Sequence, residues 1–190
     1  ANNTVMGTQF PEPPAGDAPL VVDASSEIFS RDPRIDRHRL IYAGAQKNLG
    51  PAGVSLVLVD RDWLASAAVT PEVRDLPSML DLRRHLEAGS RLNTPPTFGI
   101  QLMRRMFEWI LSEGGLPEMA ARSRRRAAIL HAAIDESGGF YRGHAEPGSR
   151  SLMNVVFRTP NPELDHRFVL EAEAAGMVGL RGHREIGGLR

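Results

Sequence analysis

Three short apolar runs constrain this chain more than any other feature. They are PLVVD (19–23), LIYAGAQ (40–46) and GVSLVLVD (53–60). Runs of this length, rich in β-branched residues and bounded by Gly, Pro and Asp, read as strands. Their near-continuous apolar character suits strands covered on both faces, as in parallel sheets. Helical patterns follow. RDWLASAA (61–68) is a short one. After Pro95-Pro96, which can open a helix, Ile100, Met103, Phe107 and Ile110 recur at three- and four-residue steps up to Gly114-Gly115. Residues 117–136 repeat the pattern, with Met119, Ile129, Ala133 and Ile134 assigned to the inner face and SRRRA to the outer. LMNVVFRT (152–159) reads as a strand, 162–175 as a helix stopped by Gly176, and MVGLRGH (177–183) as a last short strand. The predicted fold class is α/β. Residues 1–114 read as the later part of a mainly parallel sheet domain. Residues 115–190 read as a smaller, incomplete α+β domain, with the boundary near Gly114.

Composition excludes several classes. The 23 basic and 23 acidic side chains cancel, so no broad field favours nucleic acid or an anionic membrane. No apolar run approaches the roughly 20 residues of a membrane helix, and the opening ANNTVMGTQF has no signal-peptide pattern. There is no cysteine, which removes disulfides and thiolate metal sites and fits a reducing, cytoplasmic location. The six histidines show neither HxxxH nor HExxH spacing, so no metal is expected. Arg124, Arg125 and Arg126 read as a solvated helix face rather than a nucleic-acid patch, because no aromatic residue interleaves them.

Among the 23 basic side chains only Lys47 is a lysine. Arg cannot replace Lys as a nucleophile, because guanidinium stays protonated in proteins. Lys47 lies between AGAQ and NLGPAG, whose small residues let other groups approach closely. Asp23 closes the preceding predicted strand, and Asn2, Asn3 and Thr4 sit near the first. In parallel α/β sheets ligands bind at the carboxyl ends of strands, so an acid and an amine at neighbouring strand ends can meet over one ligand. A pyridoxal phosphate site needs that pair: an amine to form an imine with the aldehyde, and a carboxylate to keep the pyridine nitrogen protonated. The plainer alternatives are a surface lysine and a strand-end turn aspartate. GAQKNLG is not a phosphate-binding P-loop, since Lys47 follows Gln46 and precedes Asn48. GHREIGG lacks the glycine spacing of a dinucleotide fold.

Read as a whole, LIYAGAQKNLGPAG resembles the cofactor-lysine segment of the phosphoserine aminotransferase family, fold-type I pyridoxal phosphate enzymes. NNTVMGTQF, PLVVDASSEIFSR, NTPPTF and GHREIGGLR resemble, in order, the family's opening strand of this region, its acid strand, its interface loop and its carboxylate-binding segment. The resemblance implies pyridoxal 5'-phosphate as cofactor, with Lys47 as the imine-forming and catalytic lysine and Asp23 beside the pyridinium nitrogen. It places Thr4 near the ring hydroxyl or phosphate and Gln46 at the phosphate. Asn93 and Thr94 would reach the other subunit's cofactor in a homodimer. His183 and Arg184 would contact the substrate's phosphate, and Arg190 its α-carboxylate. Ala24 and Glu185 depart from the family pattern, which favours a larger residue and a small polar one there. The implied reaction moves an amino group between glutamate and 3-phosphohydroxypyruvate in serine biosynthesis, with a phosphorylated threonine precursor of pyridoxine as a second substrate. It also implies a segment of a protein roughly twice as long, inactive alone, because the phosphate-cradling turn and ring-stacking aromatic lie upstream. The alternatives are another fold-type I transaminase and a catalytically silent fragment.

Overall fold

The computed structural model describes residues 1–67 and 76–190. It is α/β, as expected, and divides into two compact units. One comprises Ala1–Ala15, Ser26–Pro33 and Ile110–Arg190, the other Gly16–Ser25 and Arg34–Trp109.

The second unit is built on a three-stranded sheet of β3 (Val21–Asp23), β4 (Leu40–Gly44) and β5 (Ser55–Val59), in that order. β3 and β4 pair in parallel with Val21 opposite Leu40 and Asp23 opposite Tyr42. β5 returns antiparallel to β4, so the sheet is mixed rather than wholly parallel. Side chains alternate between faces along each strand. Ile41 and Ala43 lie on the buried face. The other face carries Val21, Tyr42 and Val57, all exposed within these 190 residues, so the expectation of two covered faces is met here on one. Asp60 follows β5 and caps α1 (Arg61–Ser66), its side chain accepting the N–H groups of Asp62 and Trp63. The predicted helix over 61–68 extends at Ala68 outside the described residues. α2 (Leu82–Glu87), capped by Asp81, lies in a stretch for which the periodicity suggested no helix.

α3 (Thr97–Ser112) begins where Pro95-Pro96 leaves off: the Pro96 carbonyl accepts the first helical bond, from Ile100 N–H at 3.0 Å. Gly99 is buried there, and a Cβ on it would stand 2.7 Å from a Val54 methyl. Helix α3 therefore packs against the β5 entrance only because residue 99 has no side chain.

The first unit holds α4 (Gly115–Asp135), α5 (Pro162–Ala174) and two small sheets. One sheet is the hairpin β1 (Asn2–Asn3) and β2 (Thr8–Gln9); the other orders β6 (Arg142–Gly143), β7 (Phe157–Arg158), β9 (Gly187–Leu189) and β8 (Arg181–His183), antiparallel throughout. NNTVMGTQF is thus a hairpin, not one strand. The buried residues of α4 are Met119, Ala120, Ser123, Ala127 and Ile134. Ile129 and Ala133, assigned to the inner face from sequence, are exposed. Ile129 lies two residues, about 200°, from Ala127 and so falls on the far side of a helix. The predicted strand over 152–159 shrinks to Phe157–Arg158, because the Met153 and Asn154 N–H groups are taken by the Ser151 hydroxyl. Tyr141, Phe157 and Phe168 pack edge to face at centroid distances of 5.4–6.0 Å, a favoured aromatic geometry. Leu189, Val169 and Ala172 are buried in the same unit.

Candidate active site

Parallel pairing sends β3 and β4 out at the same end of the sheet. Asp23 is the last residue of β3, and the turn carrying Gln46 and Lys47 follows Gly44 at the end of β4. The pairing continues past the strands. Ala24 N–H donates to the Tyr42 carbonyl at 2.8 Å, and Gly44 N–H to the Ser25 hydroxyl at 2.9 Å. Ser25 thus stitches the acid-bearing chain to the lysine-bearing chain. The sequence alone places Ser25 in a polar connection and gives it no part in the site, although a Ser two residues beyond the Asp is a common turn signal. Asp23 is exposed and its Oδ1 accepts the Ser25 N–H at 2.8 Å. That bond fixes the carboxylate from one side and leaves Oδ2 to accept from another group.

The turn bearing Lys47 is held from behind. Leu49 and Gly50 N–H both donate to the Ala45 carbonyl at 2.9 Å, and Ala45 N–H to the Val54 carbonyl at 2.9 Å. Ala43, Ala45 and Leu49 are all 0% exposed, and a fully buried Leu contributes about 1.5–3 kcal/mol. Gln46 and Lys47 project from this base and are exposed. A Cβ on Gly44 would lie 2.5 Å from the Gln46 amide oxygen, so the bare glycine lets that amide fold over the strand end. Asn93 and Thr94, in the same unit, stand exposed in the loop before α3, with Asn93 Nδ2 donating to the Thr94 carbonyl at 3.3 Å.

The remaining candidates belong to the first unit. Thr4 lies half-buried in the turn joining β1 to β2. His183 ends β8, Arg184, Glu185 and Ile186 form the turn, and β9 returns with His183 opposite Gly187 and Arg181 opposite Leu189. Arg190 follows β9, and its N–H donates to the Leu180 carbonyl at 2.9 Å. Arg184 therefore sits at the tip of the hairpin and Arg190 at its base. Glu185 N–H donates to His183 Nδ1 at 3.3 Å. Nδ1 is the acceptor in that bond.

Charge pairs flank these elements. Trp63 N–H and the Arg39 guanidinium hold the Asp60 carboxyl below the usual range. Arg150 does the same to Asp135 through two bonds, at 2.6 and 2.7 Å. Among the described residues no cluster of three His, Asp or Glu side chains could hold a metal ion. None of their helices is long and apolar enough to cross a membrane.

The donor set fits pyridoxal phosphate: the amine of the chain's one lysine, a carboxylate with one oxygen left to accept, an amide, and a framework of Gly and Ala around them. The chain matches the family described as Aminotransferase class-V over residues 1–184 and belongs to it. Within that class its likeness is to phosphoserine aminotransferases. It is 50% identical to the one from Geobacillus kaustophilus across 190 residues, all of this chain and 51% of that protein. A phosphoserine aminotransferase structure recording radiation damage of its Schiff base superposes with a TM-score of 0.92 at 47% identity, over 100% of this chain and 51% of that one. The pyridoxal-phosphate-bound enzyme of Trichomonas vaginalis gives 0.90 at 34% identity, over 99% and 52%. The chain thus spans about half the length of the curated relatives it matches.

Proposed function

We propose that this chain is the lysine-bearing segment of a phosphoserine aminotransferase that moves an amino group between glutamate and 3-phosphohydroxypyruvate. The observation that carries the reading is the parallel β3–β4 pair, which sends an acid and the turn bearing the chain's one lysine out at the same end of the sheet. Another fold-type I transaminase is not favoured, since the kinship at half identity is to phosphoserine aminotransferases. The 114/115 division is proposed as the junction between the large and small domains of the longer protein. We further propose a cytoplasmic homodimer acting in serine biosynthesis.

When bound, pyridoxal 5'-phosphate supplies an aldehyde that exchanges amines and a ring that accepts an electron pair. The protein does the rest. Asp23 would accept the ring N–H and keep that proton in place, since a carboxylate favours a neighbouring positive charge. Lys47 Nζ would be the amine that tethers the cofactor and the general base that takes the proton from the substrate's Cα. Gln46 and Thr4 hold the cofactor's polar groups. Asn93 and Thr94 reach the cofactor phosphate of the other subunit. Arg190 grips the α-carboxylate both substrates share, in a two-bond fork. His183 and Arg184 favour a phosphate over a carboxylate at the other end, because phosphate offers more charge and more acceptor oxygens.

The test is borohydride reduction of the full-length protein with bound cofactor, followed by peptide mapping. The label is expected on Lys47. A label elsewhere, or normal turnover by Lys47→Ala, refutes the assignment.

A further inference from the structure

We infer that Asn2 is a positioning residue for the cofactor, the link through which a polar clamp on residues 150–154 aims the turn that carries Thr4. The inference rests on the reading of Thr4 as a cofactor contact. A hairpin of two two-residue strands is not stable alone, so something must set where its turn points.

The turn's internal shape is set locally. Asn3 Oδ1 accepts the Val5 and Met6 N–H groups at 3.0 and 2.9 Å, and Gly7 N–H donates to the Asn3 carbonyl at 3.0 Å. Its orientation is set by Asn2. Asn2 Nδ2 donates to Ser26 Oγ and to Asn154 Oδ1, both at 2.8 Å, while Asn2 Oδ1 accepts the Ser151 hydroxyl. The Ser26 hydroxyl in turn donates to the Asn2 carbonyl at 2.8 Å. Both amide hydrogens and the amide oxygen of Asn2 are therefore engaged, and rotating the side chain would break three bonds together.

The other end of the turn meets the same segment. Ser151 N–H donates to the Gly7 carbonyl at 2.9 Å, and a Cβ on Gly7 would lie 2.6 Å from the Asn154 carbonyl oxygen. Ser151 is 0% exposed, and its hydroxyl oxygen also accepts the Met153 and Asn154 N–H groups at 2.9 Å. Arg150, next in the chain, is anchored to Asp135 at the end of α4. Thr4 thus sits between two points, Asn2 and Gly7, that are both hydrogen-bonded to the segment 150–154. A purely adhesive contact could have been apolar. A fully satisfied polar network defines one orientation instead, and no buried side-chain polar atom among the described residues lacks a partner.

The experiment is a double-mutant cycle in the full-length protein. The dissociation constant of pyridoxal 5'-phosphate is measured by absorbance for wild type, Asn2→Ala, Thr4→Val and the double variant. Visible circular dichroism of the bound cofactor reports its orientation. Each single change should weaken cofactor binding by about tenfold, the scale of one lost hydrogen bond. The double variant should bind within about twofold of Thr4→Val alone, because Asn2 acts through Thr4. Asn2→Ala should also alter the dichroism. Losses that multiply in the double variant, or unchanged affinity and dichroism in Asn2→Ala, overturn the inference while leaving Thr4's role intact. Unchanged affinity in Thr4→Val overturns the cofactor reading of Thr4, and the inference falls with it. Should apo Asn2→Ala lose its far-ultraviolet spectrum, Asn154→Ala, which removes one bond to Asn2, is put through the same cycle and judged by the same outcomes.

Discussion

Replacing Gly7 by alanine should loosen the Thr4 turn by an amount that follows from two geometric facts. Gly7 has φ of +66°, a left-handed conformation that costs an L-residue about 1–2 kcal/mol. A Cβ there would stand 2.6 Å from the Asn154 carbonyl oxygen and 3.0 Å from a Val156 methyl. The nearer atom is backbone, held by the Ser151 turn, so it cannot swing aside. Forcing a methyl into a filled space costs about 1–3 kcal/mol. The stiffer unfolded chain returns about 0.4–1 kcal/mol. The net loss is roughly 1–4.5 kcal/mol. Gly148 supplies the control: a Cβ there meets nothing within 4 Å and its φ is ordinary, so Gly148→Ala should stay within about 1 kcal/mol of wild type.

The assay is hydrogen exchange by mass spectrometry on the full-length protein, read on peptides covering residues 2–9 and 150–156. Exchange reports local opening and needs no assumption that a long chain unfolds in one step. A loss of about 1–4.5 kcal/mol corresponds to protection lowered by roughly 5- to 2,000-fold in Gly7→Ala. Protection within about threefold of wild type would show that the turn moves aside freely. The close approach of Gly7 to Asn154 would then play no part in holding it.

Three further outcomes are expected in the full-length protein. Asp23→Asn should lose most turnover while still binding cofactor, because a neutral amide cannot hold the ring proton; full activity in a steady-state assay would contradict the role of Oδ2. Arg184→Ala should lower kcat/KM for the phosphorylated substrate by about 2–5 kcal/mol and for glutamate by less, whereas Arg190→Ala should lower both; equal losses from Arg184→Ala would remove the phosphate assignment. Asp60 and Asp135 titrate below their usual values when folded, so each adds stability that is complete above the unfolded Asp pKa of about 3.9 and fades as pH falls through the lower folded value. Acid unfolding of the Asp60→Asn, Asp135→Asn double variant should accordingly depend less steeply on pH below about 4 than that of wild type, and an unchanged slope would exclude both pairs.

What was legible in the sequence follows from how local each cause is. The β3, β4 and β5 runs declared themselves through β-branched residues between Gly, Pro and Asp, and α5 through Pro at its start and Gly176 after its end. Lys47 stood out because it is the one amine in an arginine-rich chain. The losses came where a side chain far along the chain decides. Nothing local to LMNVVFRT reveals that Ser151 captures two N–H groups and ends the strand before it starts. Nothing local to NNTVMGTQF reveals that Asn2 bonds to residues 149 and 152 positions away. The inner face of α4 went partly astray because alanines and an isoleucine fit either side of a helix by composition alone; contact with the rest of its unit chose 119, 123 and 127.

The chemistry of the strand ends depends in the end on parity. Asp23 faces the exposed side of the sheet because Val22, Ile41 and Ala43 take the buried side. A one-residue slip of β3 against β4 would turn every β3 side chain over. The carboxylate would then enter the buried face, among Ile41 and Ala43, where an unpaired charge is costly. Val22 would move to the open side. The slip is resisted at both ends. Arg39 N–H donates to the Leu20 carbonyl at 2.9 Å before the strands begin, and Gly44 N–H reaches the Ser25 hydroxyl at 2.9 Å after β3 ends. The alternation of apolar residues in two short strands therefore does more than form a core. It selects the register in which Asp23 and the turn bearing Lys47 leave the sheet on fixed headings, which any ligand requiring both an acid and an amine must have. Ser25→Ala, which removes the bond beyond the strand end while leaving every apolar contact in place, should accordingly raise the exchange rate of the Gly44 amide and reduce turnover more than it reduces global stability.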